Sequence, residues 1–586
     1  MPEIEIPPGV VKVQSGATAI GRYTDADKVR FVAGKPEKIR GWDKYSGTQL
    51  IGVPRTVYGY VGPEGSQSVG AGTELRLYYV KDDGEVINIT PIRSSGTINN
   101  NPFATTNLSP IVTVTDTAHG ADVGATVSFS GAAASGGITV SGEYLIASVI
   151  NDDSYTITHG SAATSAATGG GAAVVAVYEI NPGLASAAVS SGFGAGSFGE
   201  GTWGTPRELV AITFFHRTWS LHNYGNQLLA TPSGGGLYLY DHGVDSNAVI
   251  LANAPTDALF SFVTEERFIT ALCADMYIRW ADVDDITDWS PSLLDTANTR
   301  RLSQGSRLMA GTALGNGVAL IWSDAAVYTH QYRGDDFIYE TQLAGENCGL
   351  LGQLAFCVAD GMAFWFSPAG FYMFSGGPVP VPNQEEVRSW VFNNISALQR
   401  SKSYAGFNPI DREVRFGFPS INAVEPDTYV TVNIDTWIWV NGTMDRCSAT
   451  TKTVAPVYPL LASSDGYIYR HEVPNIANDD GAAMDWFLET GLYRIPGAEG
   501  NVDIFGFSPD FERQSGDVDL TITAKDRPNS VTVDEEGLVL TETTEMADAR
   551  VGGRYFKFRM AQTGVVDGDF RMGAPTIEIQ PAGERR

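Results

Sequence analysis

Cysteine is scarce in this 586-residue chain: Cys273, Cys348, Cys357 and Cys447 are the four present, far apart and without CxxC spacing. Disulfide frameworks and zinc modules need paired or closely spaced cysteines, so buried free thiols and a reducing compartment are expected instead. Basic residues are also few, 39 Lys and Arg against 67 Asp and Glu, for a formal charge of −28. Proteins grip nucleic acid by neutralising phosphate with Lys and Arg, so tight DNA binding is excluded as the main activity. No apolar run approaches the ~18 residues of a membrane helix. The opening Met1-Pro2-Glu3-Ile4-Glu5-Ile6-Pro7-Pro8 is acidic and proline-rich, against a secretory signal. Without one, the glycosylation patterns Asn88-Ile89-Thr90 and Asn441-Gly442-Thr443 are idle.

The motifs of common catalysts are missing too. There is no GxSxG elbow, no HExxH and no Walker phosphate loop, and the seven histidines are scattered. Gly194-Ala195-Gly196-Ser197-Phe198-Gly199 matches GxGxxG but sits in a low-complexity connector without a leading strand or following helix, which favours chance. The run Asp282-Val283-Asp284-Asp285-Ile286-Thr287-Asp288 lacks the Gly and terminal Glu of an EF-hand, and one loop rarely opposes two carboxylates across a sugar. It reads as a solvated acidic loop. His119 and His159 flank a β segment and are two ligands where zinc needs more. Lys557 and Arg559, among the aromatics of Tyr555 to Arg559, fit an amphipathic strand better than a nucleic-acid face. No catalytic, cofactor-binding or metal-ligating residue is therefore assigned, no cofactor is expected, and the chain is expected not to be an enzyme.

What is present is apolar material, 43% of residues with 11% aromatic, punctuated by 65 glycines. One phrase returns: a Gly or Asp turn, then two aromatic or bulky residues one apart. It occurs at Gly236-Leu237-Tyr238-Leu239-Tyr240, Met276-Tyr277-Ile278-Arg279-Trp280, Ala326-Val327-Tyr328-Thr329-His330, Gly370-Phe371-Tyr372-Met373-Phe374 and Asp465-Gly466-Tyr467-Ile468-Tyr469. Tyr238, Tyr277, Tyr328, Tyr372 and Tyr467 are 39, 51, 44 and 95 residues apart, the last gap being split by a degenerate copy at Thr428-Tyr429-Val430. Strands repeating every ~40 to 50 residues are the signature of β-propeller blades.

Around this repeat the composition shifts. An early hairpin, Glu74 to Val80 and Glu85 to Thr90 across Asp82-Asp83-Gly84, reads as one more blade. Residues 103 to 178 hold no Trp or Cys, and predict strands at Ile111 to Thr115, Thr126 to Ser130, Gly142 to Ile150 and Ser154 to Thr158. Gln384 to Leu398 predicts an amphipathic helix with Val387, Trp390, Val391 and Ile395 on one face. The expected fold is all-β: an N-terminal segment with first propeller or platform strands (1–102), an inserted small β-barrel (103–178), propeller blades (179–490) and a C-terminal β-sandwich-like domain (491–586).

Several phrases resemble the tail nozzle proteins of short-tailed bacteriophages, also described as packaged-DNA stabilisation proteins. They run in order: Val29-Arg30-Phe31, Gly34-Lys35-Pro36-Glu37-Lys38-Ile39 and Gly41-Trp42; then Arg217 to Leu221, Asn223-Tyr224-Gly225, Leu228-Leu229-Ala230, Gly234 to Tyr238, Ile278-Arg279-Trp280 and Asp288-Trp289-Ser290-Pro291; and finally Gly553-Arg554-Tyr555 and Pro581 to Arg586. Arg40 stands where the family commonly has Gly, and His222 where it tends to have Asp. The insert, with Ala118-His119-Gly120 and Gly142-Glu143-Tyr144, looks like a small β-barrel module of phage structural proteins. The resemblance implies a non-enzymatic virion tail protein assembled in the bacterial cytoplasm. Its implied partners are five further copies in a homohexamer, the adaptor ring beneath the portal, tail fibres or a tail needle, and genomic DNA in transient, non-specific contact, with no membrane-spanning segment. An acidic wall suits a duct along which DNA slides, and acidity equally keeps a large β protein soluble. Two further readings stand beside this one: a propeller glycosidase or depolymerase using the Asp282 to Asp288 cluster, and a carbohydrate-binding propeller.

Overall fold

The computed structural model describes residues 2–12, 19–62, 65–190, 212–292, 295–334, 338–450, 457–496, 500–531 and 533–581. Gly194 to Gly199, the surrounding connector with Phe193, Phe198 and Trp203, and the closing residues 582–586 lie outside them. Among the described residues, fifty strands stand against one α-helix of seven residues, Arg388–Asn394, so the fold is all-β and propeller-like. The helix is shorter than the expected span because a 3-10 turn, Gln384–Glu386, precedes it and Ile395 is already extended, though Val387 and Val391 are buried as the pattern requires. No described helix is long and apolar enough to cross a membrane. All four cysteines are buried and free.

The chain divides into two compact units: Met1–Gln49 with Thr56–Tyr60 and Ser303–Arg586, and Leu50–Arg55 with Val61–Leu302. The first unit holds four four-stranded antiparallel meanders, over 308–346, 356–380 and 404–443, then over 448–471 with Trp42–Lys44 as the fourth strand. The second unit holds two more, over 219–250 and 258–301, and the strands Gln67–Gly72, Leu77–Val80 and Val86–Asn88 in the same antiparallel order.

Every copy of the recurring phrase falls on, or leads into, the third strand of its meander: Tyr238–Tyr240, Tyr277–Trp280, Ala326–Tyr332, Gly370–Phe374, Thr428–Asn433 and Ile468–His471. The turn before that strand has a repeated device. Thr73 Oγ1 accepts from the backbone N–H groups of Leu75 and Arg76 at 3.2 and 2.8 Å, and Ser323 Oγ from Ala325 and Ala326 at 3.2 and 2.9 Å. Ser367 and Ser463 do the same for Ala369 and Asp465, each at 3.3 Å. A hydroxyl that satisfies the turn backbone lets two inner strands meet with few orphan donors. Indole groups tie loops to strands in the same spirit: Trp365 Nε1 donates to the Cys348 carbonyl at 2.7 Å and Trp439 Nε1 to that of Pro382 at 2.8 Å.

In the second unit, eight strands form one curled sheet with Ala167–Gly169 at one edge and Ile92–Thr97 at the other. The strands expected at Ile111–Thr115, Thr126–Ser130 and Ser154–Thr158 are all there, and Gly142–Asn151 is a single long strand. Their inward residues, among them Phe103, Val112, Val127, Phe129, Tyr155 and Ile157, make a core of their own. In the first unit, Val518–Lys525 and Tyr555–Gln562 alternate buried and less buried positions in a five-stranded sheet, as period-two hydrophobicity demands.

The first 50 residues signal few strands, yet Tyr23–Asp27 pairs antiparallel with Trp486–Thr490, while Val29–Val32 pairs with Lys35–Lys38, which meets Asp569–Met572. These strands are four or five residues long, and their partners outside the segment lie more than four hundred residues away, so local periodicity has little to work with.

Candidate functional site

The Asp282 to Asp288 loop uses its carboxylates to build itself. Asp282 accepts from the Thr296 backbone N–H at 2.8 Å and hydroxyl at 2.5 Å, and from the N–H groups of Asp284 and Asp285 at 3.3 and 3.1 Å. Asp285 accepts from Thr287 and Asp288 from Ser290. Slight burial works against the Asp282 charge, but the Thr296 and backbone donors outweigh it and hold the carboxyl below its ordinary range. A carboxylate held this way stays ionised, the opposite of what a general acid requires.

His119 and His159 are taken up separately. His119 is buried, with Nε2 at 3.0 Å from the Asn151 carbonyl and Nδ1 accepting from Ala121 N–H, whereas His159 Nδ1 accepts from Ser161 N–H. Among the described residues the one acid and thiol group tight enough for a metal is Asp257, Cys273 and Asp275. Burial pushes the Cys273 thiol up to about 12, and Arg279 already pairs with Asp275 at 2.6 Å, so the thiolate form a metal wants is disfavoured. Asn441 of one glycosylation pattern is buried and donates to Asp25, out of reach of a glycan.

A buried junction built from residues of no catalytic or binding motif lies in the first unit. Arg30, on the strand Val29–Val32, is 1% exposed and pairs with Asp411, Glu472 and, at 3.5 Å, Glu413. Arg40, half-exposed, reaches Asp411 at 3.3 Å. Burial opposes the Arg30 charge, and the three carboxylates more than restore it. Glu413 fares differently: burial and the neighbouring acids, against the pull of Arg30, push its carboxyl up to about 7. Arg40 adds to the compensation of Asp411, while Glu413, farthest of the three from Arg30, is the acid left least compensated.

The rest of the N-terminal phrase converges on the same place. Lys38 is buried and donates to the carbonyls of Ala477 and Gly568 at 2.9 and 2.6 Å, and burial pulls its ammonium down to about 8. Glu37 meets Arg571 at 3.2 Å. Trp42 donates to Asp479 and stacks on His471 at 4.8 Å, with the Arg446 guanidinium 4.9 Å from its ring. His471, made neutral by burial and by Arg446 and Arg415, accepts from Arg446 Nε at 2.9 Å. Gly41 is required by close approach, since a Cβ there would lie 2.2 Å from the Asn478 carbonyl oxygen. Beside this junction, a cavity of about 20 Å³ is lined by Thr450, Arg415, His471 and Glu472, enough for one water and not for a sugar. The sequence did carry a signal: a charged Arg inside the apolar strand Val29–Val32 has to find partners.

The second unit has a larger recess, about 380 Å³, where the turns at Ser66–Gln67 and Lys81–Asp82 meet the loop carrying His242. The His242 ring stacks on buried Tyr79 at 4.4 Å, and its Nδ1 is 3.1 Å from the Tyr240 hydroxyl. Its residues belong to no recognised motif.

No family model and no curated protein matches the chain. Among solved structures, one similar chain is the phage phi92 endosialidase, 13% identical over 61% of this chain and 69% of that one, with a TM-score of 0.19. At that score the similarity carries no argument about function.

Proposed function

We propose that this chain is a structural protein of a short-tailed phage virion, a tail nozzle that continues the DNA duct, retains the packaged genome and permits its ejection. The observation that carries the reading is the fate of the N-terminal phrases: Arg30, Glu37, Lys38, Gly41 and Trp42 all meet in one buried junction instead of scattering over the surface. That junction ties the first strands to the last meander and to the C-terminal sheets, which is what the wall of a pressurised duct needs. The charge of −28 supports it, since an acidic lumen lets DNA move without sticking. The partners in this reading are five further copies in a homohexameric ring, an adaptor ring above and fibres or a needle below, with the protein residing in the virion tail.

Negative-stain microscopy of the purified chain, mixed with adaptor where needed, tests the reading. A six-fold ring with an axial lumen is expected. A chain that stays monomeric with adaptor and cleaves host polysaccharide would overturn it in favour of a tail-associated depolymerase.

A further inference from the structure

The recess beside His242 is built differently from the other surface hollows. Tyr79 is 1% exposed and forms a fixed floor: its ring lies against the His242 imidazole at an interplanar angle of 19°, and its hydroxyl is 2.8 Å from Ser68 Oγ. Tyr240, also buried, holds Nδ1 of the same imidazole. When the Tyr240 hydroxyl donates to Nδ1, the proton sits on Nε2, which meets no other group among the described residues and remains a free donor. The imidazole is thus a flat ring braced from two sides before any ligand arrives, which spares the ordering cost of binding.

Around it stand groups suited to hydroxyls. Gln67 and Asp82 are exposed and line the recess, one offering an amide and the other a carboxylate. Lys81, also lining it, is neutralised by Glu85 at 2.6 Å. Asp83, Asp241 and Asp245 lie on the same turns, so the surroundings are net acidic and repel phosphate, sulfate or a sugar acid. A neutral ligand with an apolar ring face and a rim of hydroxyls fits each of these features, and the volume suits one or two sugar rings.

We propose that this recess binds a neutral saccharide, with one sugar face on His242 and hydroxyl pairs on Asp82 and Gln67. The site does not depend on the nozzle reading and would serve any tail protein that touches a glycan-coated cell. The test is an NMR titration of the full chain with glucose, galactose and N-acetylglucosamine. At least one is expected to bind at millimolar concentration, weakened about tenfold by His242→Ala and by Gln67→Ala. Gln67 is exposed, so its variant keeps the fold, and Asp284→Asn, at a residue that does not line the recess, should leave binding unchanged. Binding of none of the three sugars, or binding indifferent to both substitutions, would overturn the proposal, as would inorganic phosphate displacing the sugar from these residues.

Discussion

Two carboxylate clusters of this chain, alike in composition, have opposite chemistry. In the Asp282 to Asp288 loop, backbone and hydroxyl donors reach Asp282, Asp285 and Asp288, and Asp282 sits below its ordinary pKa. At the junction, Asp411, Glu413 and Glu472 crowd one guanidinium away from water, and Glu413 is pushed up to about 7. Burial and the number of donors per oxygen decide the outcome, and spacing in the sequence does not. The loop that resembles a catalytic cluster is a folded turn whose acid is held ionised, and the acid pushed up toward neutrality sits where the chain crosses itself.

Removing Arg30, the buried cation that pairs with Asp411, Glu413 and Glu472 together, is the hardest blow to that contrast. Arg30→Met should leave buried acids uncompensated and cost about 3 to 5 kcal/mol, read as a loss of soluble, protease-resistant protein. A junction that tolerates it would not be desolvated as described.

Glu413→Gln tests the same site through pH. The folded-state value of about 7 lies above the ordinary 4.5, so the stability held by the protonated acid is complete below 4.5 and lost as pH rises through 7. The wild-type first unit should lose on the order of 3 kcal/mol from this group between pH 4.5 and 8, seen as faster hydrogen exchange in Val29–Val32 and Glu413–Phe418. Glu413→Gln should flatten that slope, and an unchanged slope would assign it elsewhere.

On the exposed side the effects shrink and the sign reverses. Asp282→Asn replaces a charged acceptor of four donors by a neutral one, and should cost about 1 kcal/mol with local opening of 282–296 in hydrogen exchange. Its contribution is present above its ordinary value of 3.8 and fades as pH falls. Asp284→Asn, whose exposed side chain is not one of these acceptors, should change thermal stability by less than about 0.5 kcal/mol. A large effect there would make the loop more than a turn.

Much of the fold was legible. Third strands betray themselves because both their neighbours are strands and each carries a buried aromatic, as Phe371 in Gly370–Phe374 against the almost fully buried Met362–Ser367. Strands of the insert were legible because a period of two over five residues suffices, as at Ile111–Thr115 with Val112 and Val114 turned inward. The helix at 384–398 was only partly so, since periodicity places Val387 and Val391 on one face but does not show where a 3-10 turn takes over.

The candidate sites were less accessible. Arg30 was visible as a charge among apolar neighbours, but its three acids come from positions 411, 413 and 472. His242 had no signal at all, because its value rests on Tyr79 lying beneath it.

By itself, the sequence determined the class of this protein: hydrophobic alternation, turn residues and a recurring aromatic phrase are local properties, and local properties specify strands and their meanders. Only the tertiary structure decided which chain segments complete those sheets and which acids lose their water. Trp42–Lys44 becomes the last strand of a meander more than four hundred residues downstream, and Glu413 becomes a near-neutral acid, because both depend on what is brought close in space.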